Sequence, residues 1–275
     1  MEQRHVVETS VGRLGLRVTG RGQPVVLWHS LFVDDRSWDR LVPRLAPTRQ
    51  LVIITGPGHG SSGDPGRRYS NEECAAAARL ALEHLGIRLP VDWVGNAWGG
   101  HVGAIAAARW PELIRSLVML GSPIAGLTRL ERARTHLLLA AYRVSGPSPV
   151  VISGTTKVML CARTRADDAD AVALVHDCLR RADRRMLRNA VVSVSLHRTD
   201  LSVWLRQVPQ PTLIVTGNDH HGFTPRQAQA AARLLRHGDV ATVPASAYLL
   251  PLEQPDAVAE LVSDFWATRN VATAL

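Results

Sequence analysis

The sequence predicts an α/β fold with a mostly parallel sheet, on three observations. Apolar runs at residues 25–28, 51–54 and 117–120 have strand length and no polar alternation, as strands buried on both faces do. Stretches of helical pattern separate them, and strands alternating with helices at this spacing argue a sheet covered by helices on both sides. The third is Val91-Asp-Trp-Val-Gly-Asn-Ala-Trp-Gly-Gly-His-Val-Gly-Ala-Ile-Ala-Ala-Ala-Arg-Trp110, an apolar run, a Gly-bracketed turn and an Ala-rich segment stopped by Pro111. It reads as strand, tight turn and helix.

Taken in order, residues 6–18 alternate around Gly12 and Gly15 and read as a hairpin. Residues 24–28 form a buried strand, followed by His29-Ser30-Leu31 and a helix near 38–45. Asp34-Asp35 stands where a helix N-terminus attracts negative charge. Residues 50–54 are the next strand. Ser70 or Asn71 caps an Ala-rich helix that closes at Gly86. After the strand at 117–120 the rhythm changes. Residues 127–198 are helical and Arg-rich, with only 150–152 resembling a strand. The alternation resumes with a strand at 211–216, a helix at 225–236, a strand at 239–243 and a last helix from Pro255 to about Trp266. The expected division is a core of 1–123 and 201–275 with a helical cap at 124–200.

The totals bound the function. The 275 residues are 46% apolar, enough for one large domain with a proper core. The net charge of +8 is almost wholly arginine, with Lys157 the only lysine, and it is spread without a dense basic tract or interleaved aromatics. No nucleic-acid partner is expected from such a spread. The apolar runs are far too short to span a bilayer, and Met1-Glu-Gln-Arg-His leads into Val6-Val7 without a signal-peptide core. A cytoplasmic protein with no membrane partner is the expectation. Cys74, Cys161 and Cys178 have no metal-ligand spacing and read as reduced, buried thiols. No metal and no cofactor are expected. Oligomeric state is unreadable.

Gly95-Asn-Ala-Trp-Gly99 occupies the strand–turn–helix context of a nucleophile elbow, G-x-S-x-G. The chain resembles the α/β-hydrolase fold superfamily, and the resemblance covers nearly its whole length. His29-Ser30 resembles the His-Gly after the third strand, and Gly58-His-Gly-x-Ser62 the loop after the fourth. Gly217-Asn-Asp219 resembles the acid-bearing strand end, and Leu252-Glu-Gln-Pro-Asp256 the start of the last helix. The resemblance implies a triad, and its positions are altered. The nucleophile position holds Ala97. The histidine position, before Glu253, holds Tyr248. The acid is expected at Asp219, with His220 as the alternative.

Without a nucleophile, only about 10³–10⁴-fold acceleration over water survives from binding and the oxyanion hole. Tyrosine, with a pKa near 10, is a poor base at neutral pH. Ser-His-Asp hydrolysis is not expected of this chain. The resemblance implies oxyanion donors at the backbone N–H groups of Leu31 and Trp98, which tolerate side-chain change. His29 and Ser30 border that site, and Tyr142 in the cap is a candidate for orienting a ligand. His59 and His101 read mainly as loop and packing residues, and Trp28, Trp93 and Trp110 as core.

The expected ligand is a small, mainly apolar organic molecule. Three functions stand open: a non-hydrolytic enzyme such as a lyase, cyclase or cofactor-free catalyst; an ester or C–C bond hydrolase whose nucleophile has been replaced; and a non-catalytic small-molecule binding protein.

Overall fold

The computed structural model describes residues 2–272. It contains an eight-stranded sheet in the order β1-β2-β4-β3-β5-β6-β7-β8. β1 (Gln3–Val7) and β2 (Leu14–Gly20) form the expected hairpin, and β2 pairs antiparallel with β4 (Arg49–Ile54). From β4 onward the sheet is parallel through β3 (Gln23–Trp28), β5 (Val91–Asn96), β6 (Ile114–Leu120), β7 (Thr212–Gly217) and β8 (Gly238–Val243).

The strand period of two divides the core. Val26, Trp28, Val52, Ile54, Trp93 and Leu117 face one side, with α2 (Asn71–His84) and α3 (Trp98–Arg109) packed there. Val25, Leu27, Leu51, Ile53, Val94 and Val118 face the other, under α1 (Val42–Leu45) and the C-terminal helix. Asp92 is a charge at the centre of the sheet, on β5. It is fully buried and accepts hydrogen bonds from Arg49, Arg115 and the Ser116 hydroxyl.

Between β6 and β7 the chain adds α4 (Arg129–Ser145), α5 (Pro149–Met159), α6 (Ala162–Asp167), α7 (Ala169–Arg181) and α8 (Arg184–Val191). A π-helical turn at Val192–Leu196 and α9 (Ser202–Leu205) lead back to the sheet. These helices share an apolar cluster of their own, which includes Val33 and Leu249 from the sheet's loops and Leu252 from a short helix after β8. Arg36 bridges Asp34 of the core to Asp177 of α7, Arg40 pairs with Asp168, and Glu253 accepts from the Cys161 N–H. The chain closes with α10 (Pro225–Ala232), α11 (Leu250–Glu253) and α12 (Pro255–Ala272).

Three local expectations change. The helix near 38–45 is a 3-10 turn at Asp35–Trp38 followed by the four residues of α1, with Pro43 at its start. Residues 150–152 are helical, because Pro149 opens α5 from its first turn and Val151 and Ile152 face the cap's core. The helix at 225–236 stops at Ala232. Ser70, rather than Asn71, caps α2 through a reciprocal pair with Glu73. The three cysteines are free and buried. Among the described residues no helix is long and apolar enough to cross a membrane.

Candidate active site

The turn between β5 and α3 is sharp, with Ala97 at its apex. Ala97 sits at φ 47°, ψ −100°, a conformation that L-residues rarely adopt. It is held there from both sides: its N–H donates to the Leu120 carbonyl at 2.7 Å, and its carbonyl accepts from Gly100 and His101. The flanking glycines are obligatory, since a Cβ on Gly95 would overlap the Gly99 carbonyl and one on Gly99 would overlap the Trp28 carbonyl.

Asn96 carries the elbow to the far end of the sheet. Its side-chain amide donates to the carbonyls of Leu120 (3.0 Å) and Tyr248 (2.7 Å). Tyr248 in turn lies against His220, ring centroids 3.7 Å apart. Ala97, Tyr248 and His220 are thus linked in one neighbourhood at the C-terminal ends of β5, β7 and β8. Asp219 is not among them. Its side chain is exposed, while His220 is 1% exposed and turned inward. The turn after β7 thus brings residue 220, the alternative acid position, rather than 219 against Tyr248.

His220 is no free base. Its Nδ1 accepts from the Gly222 N–H at 3.1 Å, which leaves Nε2–H to donate to the Gly121 carbonyl at 3.3 Å. Burial lowers its pKa to about 4, so the ring is neutral. The Tyr248 hydroxyl lies over Gly222, where a Cβ would collide with it. Burial also raises the Tyr248 pKa, which keeps the phenol protonated.

β3 lies beside β5, with Trp28 opposite Gly95, and this pairing sets the 29–33 loop next to the elbow. Trp98 opens α3, so its N–H has no intrahelical partner. Neither it nor the Leu31 N–H donates to any described residue. Ser30 is buried in the same loop. His29 braces this loop: its Nδ1–H donates to the Ser30 carbonyl (2.7 Å) and Nε2 accepts from Gly56 (2.8 Å), so both ring nitrogens are used.

Two other buried imidazoles each keep one nitrogen without a described partner, Nε2 of His59 and Nδ1 of His101. Desolvation lowers both pKa values to about 3. Tyr142 is buried in α4 with its hydroxyl unpartnered, against a cavity of about 10 Å³ also lined by Phe32, Leu139, Val151 and Leu187. That volume holds roughly one water. Sequence reasoning missed Phe32 and Asn96. Their only signal was adjacency to Leu31 and Ala97. Among the described residues no three His, Cys, Asp or Glu side chains converge as a metal site.

Comparison with known proteins agrees with the fold. The pyrrolizixenacetamide deacetylase of Xenorhabdus hominickii is 24% identical over 258 residues, 92% of this chain and 94% of its own. The pimeloyl-[acyl-carrier protein] methyl ester esterase of Xanthomonas axonopodis pv. citri is 27% identical over 91% of this chain and 98% of its own. A thermophilic esterase from Thermogutta terrifontis, solved with malate bound, superposes with a TM-score of 0.88 at 20% identity, covering 97% of this chain and 98% of that one. A family model described as the alpha/beta hydrolase family matches residues 25–261. With the sheet order, the elbow and a match over most of its length, the chain belongs to the alpha/beta hydrolase family.

Proposed function

We propose that this protein keeps the pocket and backbone donors of its family while lacking the serine-hydrolase triad. It acts on a small, mainly apolar carbonyl compound by non-hydrolytic chemistry such as elimination, cyclisation or a cofactor-free conversion. Ala97 at the strained elbow carries the reading. A methyl group stands where the attacking atom belongs, and the histidine and acid positions hold Tyr248 and His220. An ion-paired imidazole cannot form there.

The N–H groups of Leu31 and Trp98 are the proposed oxyanion donors, polarising a carbonyl without covalent attack. The relatives above are named for removing acetyl or ester groups, and both groups carry such a carbonyl. We take residues 124–200 as the cap over this core. The apolar cavity beside Tyr142 would receive the ligand body, with the unpartnered Tyr142 hydroxyl as a polar contact. At about 10 Å³ it is too small for such a ligand, so binding requires the cap helices or Phe32 to shift.

The test is hydrolysis of short-chain p-nitrophenyl esters by the parent, Ala97→Ser, and Ala97→Ser/Tyr248→His. The parent and single variant should stay at background, and the double variant should show burst-phase acylation. Parent turnover well above background would sink the proposal and point to another nucleophile.

A further inference from the structure

Among the described residues the half-buried arginines follow a rule with one exception. Arg17, Arg36, Arg40, Arg49, Arg79 and Arg115 each have a carboxylate within ion-pair distance. Arg198 is buried to a similar degree and has no carboxylate within 4.0 Å. Its Nη2 donates to the Ala125 carbonyl, and its Nε is buried without an acceptor. The acids whose fields reach it are already used. Glu131 accepts from the N–H and hydroxyl of Thr128 at the start of α4, and Asp200 accepts from the Ser202 N–H. A partly buried guanidinium without a counter-ion is costly, and its planar fork is shaped for a carboxylate.

Its position gives the cost a purpose. Arg198 lies where the chain returns from the inserted helices, beside residues 124–126; Leu201 donates to the Ile124 carbonyl there. Its Nη2 and the Nε2 of His101, one turn into α3 from Ala97, bond to carbonyls of one short segment, Ala125 and Pro123. The guanidinium therefore lies beside the elbow helix, and its charge acts on both Tyr248 and His101.

We infer that Arg198 anchors an anionic substituent, a carboxylate, on the ligand taken by the elbow pocket. The inference rests on the pocket proposed above and narrows its ligand to an apolar body bearing one negative group. Tyr248 and His101 are neutral, so neither competes with the guanidinium for that group.

The experiment is calorimetric titration of a matched pair, 4-phenylbutyrate and 4-phenylbutyramide, which differ in charge and little in shape. The parent should bind the acid at least tenfold more tightly than the amide. Arg198→Gln should reduce that preference below twofold while keeping the parent's thermal midpoint. Arg198→Lys should retain part of it, because a point charge replaces a two-pronged contact. Ala97→Phe, which fills the elbow, should abolish binding of both. Equal binding by the parent, no acid binding at millimolar concentration, or a preference that survives Arg198→Gln would overturn the assignment. If both compounds bind equally and Ala97→Phe removes both, the pocket stands and the role of Arg198 falls. If the preference needs Arg198 yet survives Ala97→Phe, the anion site is supported and the elbow pocket falls.

Discussion

The ring of His220 lies on the ring of Tyr248, centroids 3.7 Å apart and planes tilted by 35°. If these are the acid and histidine positions of the family's triad, as we propose, a carboxylate would here orient an imidazole that serves as base. Here the imidazole is locked to the Gly121 carbonyl and the Gly222 N–H, and its neighbour is a protonated phenol. The pair is packed and hydrogen-bonded as structure, and that arrangement governs how the site responds to mutation and pH.

Ala97→Gly should stabilise the protein. The φ of 47° with ψ of −100° costs an alanine roughly 1–3 kcal/mol, and glycine's extra unfolded-state entropy returns roughly 0.5–1 kcal/mol of that. The expected net gain is about 1 kcal/mol, read as a rise of roughly 2–4 °C in thermal midpoint. A fall in midpoint would show that the elbow is not strained.

Acid should weaken the fold well above the carboxylate range. The folded pKa values of His59 and His101 are lowered to about 3 and that of His220 to about 4; that of His29 is lowered too. The unfolded chain takes up these protons near pH 6.5 and the folded one does not. Stability is therefore full above about pH 6.5 and is lost as pH falls toward 4, by up to about 1.4 kcal/mol per pH unit for each histidine. Thermal midpoints between pH 7.5 and 4.5 test this, and His220→Gln should flatten the slope. A midpoint unchanged from pH 7 to 5 contradicts it.

Asp92→Asn should be among the most damaging single changes outside the site. It would leave Arg49 and Arg115 facing a buried neutral amide, at a cost of about 3–5 kcal/mol. Urea unfolding measures it directly. A loss under 1 kcal/mol would mean that water reaches the cluster.

Arg36→Gln should loosen the inserted helices while leaving the sheet intact. Arg36 holds Asp34, Asp177 and the Cys178 sulfur together, so removing it cuts one of the ties between α7 and the core. Amide exchange in Ala169–Arg181 should quicken roughly tenfold, with β3 and β5 unchanged. Unchanged exchange would assign the tie to apolar packing and to Arg40–Asp168.

The mostly parallel sheet, the run of helices before β7 and the tight turn at Ala97 were legible in the residues alone. Each is written locally, in apolar runs of strand length, in a change of period after residue 123, and in glycines spaced by a turn with one backbone solution. That His220 rather than Asp219 turns inward was not legible there, because one residue of rotation after β7 sets which side chain is buried. Nor was it legible that His29 braces two loops, that residues 150–152 are helical, or that Arg198 has no acid among the described residues. Those outcomes depend on partners far away in the chain, and pairing between distant side chains leaves no period or spacing to read.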